Sequence, residues 1–397
     1  MLEQVARVDP YYAASNKLRS WIEMQHYAGY EPYDLLNSPY LRGRFLQLRF
    51  VAPWIIQLGR RLGGLRLRRW LKVAPSKNPK ALALCLSAYC DLAQQGFGGR
   101  SESLALKAEL LHLKSPGEQC YSWGYDWPFV SLRGAVLPKF SPNCIATCFV
   151  ANALLDMGDT FRDEEAVAMA CSAGEFITTR LIRSVESPQN LCFSYTPARA
   201  TVIYNNSAIA GALLARLGAI DRRTEYFDLA RRSMQFLADR QNCDGSWYYG
   251  AGRWQRWIDS FHTGYNLCAL LEYQRNTADA PFERQIQAGY DFYKTSFFRH
   301  DGAPKYYHDR VYPIDIHCCS QAILTFCAFR DRDPDAAALA CRSANWALQN
   351  MRGEDGTFFY QRRHLWTDRT PYMRWGQSWM FRALTRLEQV LAESERS

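Results

Sequence analysis

Apolar residues recur along this chain in blocks of helical length. Six such blocks begin near Pro79, Pro142, Tyr204, Asp259, Asp315 and Tyr372. They read NPKALALCLSAYCDL, PNCIATCFVANALLDM, YNNSAIAGALLARL, WIDSFHTGYNLCALL, YPIDIHCCSQAILTFCAF and YMRWGQSWMFRALTRL. They are rich in Ala, Leu and Cys and poor in charge beyond the first turn, as helices buried on most sides should be. Between them lie more amphipathic, charged stretches: Glu102–Leu113, Glu164–Arg183, Thr224–Arg240, Pro281–Phe298 and Ala336–Met351. These predict a second, outer set of helices. A short aromatic piece follows each: CYSWGYD, CFSYTP, GSWYYG, PKYYHD and GTFFYQ. Three of the pieces are introduced by a turn dipeptide, Asp244-Gly245, Asp301-Gly302 and Asp355-Gly356, the composition a tight reversal needs.

The repeating unit is therefore outer helix, tight turn, aromatic strand-like piece, polar cap, inner helix, with a period of roughly 60 residues. Six such hairpins predict an all-α fold, an α/α toroid (a six-hairpin α/α barrel) with short aromatic β-hairpin-like segments at one mouth. A closed ring has no need of polar terminal repeats, unlike an open solenoid. Residues 1–75 are expected to form a helical N-terminal preface packed on the barrel. It would hold a helix around Tyr11–Tyr27, a GYEPYDLLNSPY loop and an amphipathic helix around Arg42–Leu62. Residues 76–397 would form the toroid itself, since no linker or low-complexity run marks a second domain.

Composition narrows the class. Apolar content of 48% with 14% aromatics in 397 residues excludes disorder and provides for a large core. The 13 cysteines form no C-x-x-C pair, and many fall inside apolar helical runs. That usage suits a reducing compartment. The start, MLEQVARVDPYY, has no basic region followed by an apolar core, and no apolar run looks long enough to span a bilayer. A cytoplasmic location is expected. The net charge of +9 is concentrated in RGRFLQLRF and RRLGGLRLRRWLK. It suits a solvated helix face, an acidic polymer, or peripheral contact with an anionic membrane or a polysaccharide assembly machine. No nucleic-acid recognition motif accompanies it.

If the inner helices run parallel, their N-terminal ends ring one mouth. The polar and aromatic set gathered there would be Trp123, Asp126, Arg133, Lys139, Asn143, Tyr195, Tyr204, Asn205, Asn206, Trp247, Tyr249, Arg256, Asp259, His262, Tyr265, Asn266, Lys305, Tyr307, Asp315, His317, Gln321, Arg374 and Gln377. Aromatic platforms with amides and guanidinium groups suit sugar rings, and Arg with helix N-termini suits a carboxylate. Asp259 with His262, and Asp315 with His317, occur in nearly the same arrangement, each His followed four residues later by Asn266 or Gln321. Each Asp can cap its helix, orient the neighbouring His, or act as acid or base. No H-E-x-x-H, paired-Cys spacing, phosphate loop or G-x-S-x-G elbow occurs, so neither metal nor cofactor is expected.

The layout resembles the α/α-toroid carbohydrate enzymes: uronyl C5-epimerases, toroid polysaccharide lyases, unsaturated-uronide hydrolases and N-acylglucosamine 2-epimerases. NPKALALCLSAY, FSYTP, DGSWYYG, RWIDSFHTGYN, PKYYHDRVYPIDIH and YMRWGQSWM look like a family encoded in bacterial exopolysaccharide clusters. That likeness runs from about Leu71 onward and implies a place in polysaccharide assembly or modification. RWIDSFHTGYNLCALL is also similar to a helix start in heparan-type glucuronyl C5-epimerases, matching at Arg256, Asp259, His262, Thr263 and Asn266. Toroid alginate-type lyases use an Asn–His–Tyr–Arg set, which Asn205 or Asn206, His262, Tyr265 and Arg256 could supply. RRSMQFLADRQNCDGSW fits the Gln-Trp repeat of triterpene cyclases, through Phe236, Leu237, Gln241, Gly245 and Trp247. Without an Asp-x-Asp-Asp proton donor, that match implies the fold rather than the chemistry.

The expected function is removal of the C5 proton of a uronic acid residue in an anionic oligo- or polysaccharide or its lipid-linked precursor. Re-protonation gives an epimerase, and loss of the C4 substituent gives a lyase. Asn205, Asn206 or Arg256 would neutralise the carboxylate. His262, His317, Tyr265 or Tyr307 would serve as base and acid, and Trp123, Asp126, Trp247, Tyr249, Asn266, Lys305, Gln321 and Arg374 would line the substrate. A glycoside hydrolase using Asp259 and Asp315 ranks second. A non-catalytic sugar-binding component of the assembly system is third.

Overall fold

The structure, a computed structural model, describes residues 2–41, 51–62, 64–130, 136–277 and 279–394. Arg133 and the basic run RGRFLQLRF (42–50) lie outside the described residues.

Six inner helices carry the apolar blocks: α4 (Pro79–Gln94), α6 (Cys144–Phe161), α8 (Tyr204–Asp221), α10 (Ser260–Asn276), α12 (Ile316–Ala328) and α14 (Ser378–Ser394). Each packs on the next, and α14 packs back on α4, which closes the ring. The outer layer is α5 (Arg100–His112), α7 (Glu164–Arg180), α9 (Thr224–Ala238), α11 (Glu283–Phe297) and α13 (Ala336–Asn350), each on its neighbouring inner helix. The sixth outer position belongs to α1 (Leu2–Met24), which packs on α14. The chain's first helix thus completes the hairpin of its last. This is the α/α toroid, with one continuous apolar core running round it.

The helix starts follow from local chemistry. Asn78 caps α4 by accepting from the N–H groups of Lys80 and Ala81, with Pro79 at the first helical position. Asn143 caps α6, Asp259 caps α10 and Asp315 caps α12 in the same way. Helix α14 is entered through a π-turn over Met373–Gln377.

The turns before the aromatic pieces are equally regular. Asp244, Asp301 and Asp355 each accept from the backbone N–H two residues on. The following Gly245, Gly302 and Gly356 sit at φ +89°, +90° and +89°. A Cβ on Gly245 would lie 2.2 Å from the Ala288 carbonyl of α11, so only glycine lets that turn press on the next outer helix. Gln241 donates to the carbonyls of Gly245 and Gln285, both at 2.9 Å, tying one outer helix to the next. Most aromatic pieces form single bridges, such as Asp259 with Tyr307 and Ile203 with Gly250, rather than full strands.

Helix α6 departs from the sequence expectation, being long and apolar enough by composition to cross a bilayer. Its apolarity reflects a place inside the ring, where 67% of it is buried. All thirteen cysteines are unbridged.

The segment after α1 returns over the mouth. Ala28–Gly29 pairs with Ser76–Lys77, and the Tyr30 carbonyl accepts from Met373 N. Helices α2 (Ala52–Leu62) and α3 (Leu65–Trp70) follow, with the buried Arg68 donating to Asp34 at 2.8 Å.

Candidate active site

The inner-helix starts do meet, and the centre of the meeting is Tyr265 and Phe261 on the first turns of α10. His262 lies beside Phe261 at 4.1 Å between ring centroids, and His317 lies beside it at 4.7 Å. Tyr265 is about equally far from both imidazoles, 5.9 and 6.0 Å.

The two histidines have different surroundings. Asp259 Oδ1 accepts from His262 N at 2.9 Å, while its Oδ2 lies 2.7 Å from His262 Nδ1 and accepts from Trp257 Nε1 at 2.8 Å. With Nδ1–H given to the carboxylate, Nε2 carries the lone pair, and among the described residues it has no hydrogen-bond partner. The side chain keeps 20% of its surface exposed, whereas Asp259 keeps none. Tyr249 stacks on Trp257 at 4.5 Å and stands 4.6 Å from the His262 ring.

His317 is sealed. Its Nε2 lies 2.6 Å from the Tyr265 hydroxyl, and its Nδ1 is buried without a partner. Burial, then the charges of Lys80 and Arg374, hold the imidazole well below the ordinary histidine range, so it is neutral. Burial pushes the Tyr265 phenol well above its usual range. The Asp315 carboxylate does not touch this ring. It accepts from His317 N, Trp375 Nε1 and Gln361 Nε2. The reason is spacing: His262 stands three residues after its cap and can fold back onto it, whereas His317 stands two after and points elsewhere. The expected equivalence of the two Asp–His pairs is corrected accordingly. Burial raises Asp315 to about 6.

Two cations lie nearby. Arg374 is buried, its guanidinium 5.0 Å from the Trp127 ring and 5.2 Å from Trp375. Its NH2 contacts Glu31 at 2.9 Å, and its Nε is buried without a partner. Burial pushes Glu31 up to about 8 against the pull of Arg374. Lys80, in the first turn of α4, is as buried as its apolar neighbours. Three aromatic faces surround its ammonium, Phe149 at 3.8 Å, Trp379 at 5.1 Å and Tyr265 at 5.4 Å. No carboxylate pairs with it among the described residues, and burial holds it well below the ordinary lysine range. Neither Lys80 nor Glu31 was singled out from the sequence. The only signal was a lysine at an otherwise apolar position in NPKALAL.

Other expected residues divide. Asn205, Asn206 and Asn266 are buried, each with an unpartnered side-chain oxygen. The Asn206 amide donates to the Phe193 and Ser194 carbonyls. Tyr307 is half-buried, its ring under Arg310 at 4.7 Å and its backbone bridged to Asp259. Lys305 donates to the His308 carbonyl in the same loop. Trp123 and Trp247 are not platforms: both are sealed, their indole N–H groups given to the Leu110 and Leu237 carbonyls at outer-helix ends. Asp126 spends its carboxylate on Asn78 and Ser76, bracing the α4 cap. Gln321 donates to Thr325 and Cys268 within the helix packing. Arg256 is exposed to solvent. A cleft lined by Lys294, Phe298, His300 and Arg342 lies in the outer layer, apart from this chemistry.

Buried polar atoms are almost always paired. Here unpaired side-chain atoms, among them those of Asn205, Asn206, Asn266, His317 and Arg374, lie in the opening turns of four of the six inner helices. The imidazole of His262 beside them is partly exposed and held by a carboxylate. The arrangement can take a proton at His262 Nε2 and deliver one through Tyr265 and His317.

No family model matches the sequence, and no curated protein matches it. Solved structures do resemble the fold. A GH76 alpha-mannanase from Bacteroides thetaiotaomicron superposes with a TM-score of 0.61 at 14% identity, over 82% of this chain and 89% of that one. A cellobiose 2-epimerase from Bacillus thermoamylovorans gives 0.60 at 14%, over 82% and 90%. A D-mannose isomerase gives 0.61 at 9%, over 80% and 87%. At these identities the likeness establishes the architecture, an α/α toroid of the kind on which sugar hydrolases, epimerases and isomerases are built.

Proposed function

We propose that this protein is a carbohydrate-active enzyme that moves a proton at a sugar carbon, and that its substrate is a uronate residue of an anionic glycan. The observation that carries the reading is the pairing of two unlike histidines around Tyr265. His262, held by Asp259 with Nε2 free, is the base; the neutral Tyr265 hydroxyl, coupled to His317 Nε2, is the acid. Removal of the C5 proton by His262 leaves a carbanion delocalised into the carboxylate. The positive charge of Arg374 would stabilise it, with the buried Lys80 amine beside it as a hydrogen-bond donor. A proton from Tyr265 to the opposite face completes an epimerisation, and departure of the C4 oxygen instead completes an elimination. The fold neighbours, among them a 2-epimerase and an isomerase, support sugar chemistry in general. A place in exopolysaccharide synthesis, with a polymeric or lipid-linked substrate, is what the sequence resemblance implies.

A hydrolase is the second reading. Asp259 and Asp315 suit it poorly, because hydrogen bonds inside the protein occupy them. The feature in its favour is Glu31, a buried carboxyl beside Arg374 at the mouth, which burial pushes up to about 8.

One experiment separates these. Uronate oligosaccharides incubated with the enzyme in heavy water should gain deuterium at C5, and elimination would add ultraviolet absorbance. New reducing ends without either change would hand the site to hydrolysis. Binding without turnover, retained at reduced affinity in a His262→Ala/His317→Ala variant, would make the protein a sugar-binding component.

A further inference from the structure

We propose that the mouth face of the ring docks on an anionic membrane surface. The chain has twelve tryptophans, of which four are exposed, Trp54, Trp70, Trp254 and Trp366. All four belong to segments that stand at the inner-helix starts.

Trp254, 89% exposed, is on the loop leading into α10. Leu365, 88% exposed, and Trp366 form the tip of a hairpin, Gln361–Arg362 paired with Thr367–Asp368. That hairpin pairs with Ile314–Asp315, the residues that lead into α12. Trp70, 75% exposed, ends α3. The preceding Arg68 reaches the Glu31 carbonyl, and Glu31 pairs with Arg374 at the start of α14. Trp54 lies on α2, turned away from Ala52 and Ile56, which pack on Leu36. The same helix places Arg60 over Tyr33 at 5.0 Å, and Tyr33 stacks on Trp127 beneath.

Exposed cations share these segments: Arg66, Arg69 and Lys72 beside Trp70, Arg253 and Arg256 beside Trp254, and Arg369 after the hairpin. Single exposed apolar residues need no explanation. Tryptophans flanked by arginine on separate loops of one face are another matter, since Trp favours the headgroup region and cations favour anionic lipid. An anionic polysaccharide would satisfy the charges and stack on the indoles, but Leu365 at a hairpin tip has nothing to offer a hydroxylated chain. It has much to gain from an acyl region. The inference stands whichever reaction the mouth performs.

The test uses the full chain and vesicles of phosphatidylcholine with or without phosphatidylglycerol. The protein should float with the phosphatidylglycerol vesicles, release at high salt, and shift its tryptophan emission to the blue. Leu365→Ser/Trp366→Ser should weaken binding by about tenfold or more with helical circular dichroism unchanged. If that variant loses helicity, quenching of the wild-type tryptophans by brominated lipid decides instead. The proposal fails if no vesicle is bound, if the variant binds undiminished, or if brominated lipid leaves the emission untouched. It also fails if a soluble uronate polymer gives the blue shift while vesicles do not.

Discussion

Asp259 holds His262 twice, through its backbone N–H at 2.9 Å and its ring Nδ1 at 2.7 Å. One carboxylate therefore starts helix α10 and fixes the tautomer of its third residue. The two roles can be separated. Asn caps a helix about as well as Asp, so Asp259→Asn should leave the melting temperature within a few degrees of wild type. It cannot accept from the imidazole and from Trp257 as the carboxylate does. Turnover should fall by roughly two to four powers of ten, as for His262→Ala. A variant that melts normally and turns over normally would remove His262 from the mechanism.

Tyr265 and His317 satisfy one another in a dry setting. Tyr265→Phe leaves a buried imidazole nitrogen with no partner, which costs about 1–3 kcal/mol. We expect that loss in chemical denaturation, together with a fall in kcat larger than any change in KM. Full retention of kcat would reassign the pair to packing.

Lys80 stands in an aromatic box with no carboxylate paired to it among the described residues, and burial disfavours its charged form. Lys80→Met keeps the stem and removes the lone amine, so stability should hold or rise. Affinity for an anionic sugar should drop about tenfold or more. Calorimetry and melting measured together test this; a strong loss of stability with unchanged affinity would contradict it.

Glu31 makes stability depend on pH. Its carboxyl goes from an ordinary value of 4.5 to about 8 on burial. Between those values the folded chain binds more protons than the unfolded one, so the contribution is full below about 4.5 and is lost as pH rises through 8. Glu31→Gln keeps an acceptor for Arg374 and removes the titration. The difference between wild-type and variant stability should therefore slope downward across that window, and parallel curves would show that Glu31 does not titrate there.

Trp247 and Tyr249 stand two residues apart with opposite expected roles. Trp247→Ala empties a packed site under Gly289 and should cost about 3–5 kcal/mol with specific activity retained. Tyr249→Ala should do the reverse, because its ring borders His262. Equal activity losses would put both in the site.

Much of the architecture was legible because burial leaves a one-dimensional trace. An inner helix is covered on every side, so α6 and α12 read as almost uninterrupted apolar runs. The Asp-Gly turns were legible because only glycine fits a left-handed position pressed against the next helix. The Gln241–Trp247 motif announced the fold correctly for the same local reason.

The site was legible in part. Asp259, His262 and Tyr265 stand within seven residues of sequence, so one cap and two turns of helix place them. Arg374 and Glu31 are separated by almost the whole chain, and their contact exists only because α1 packs on α14 as the sixth outer helix and the segment after it returns over the mouth. Lys80 looked like an ordinary helix-start residue until three other helices put Phe149, Tyr265 and Trp379 around it. The sequence by itself determined the repeat, the caps and the acid–base candidates, all short-range consequences of backbone geometry and burial. Ring closure decided which charges are dry, which carboxylate oxygens are already bonded, and which tryptophans face out, because those depend on neighbours far away along the chain.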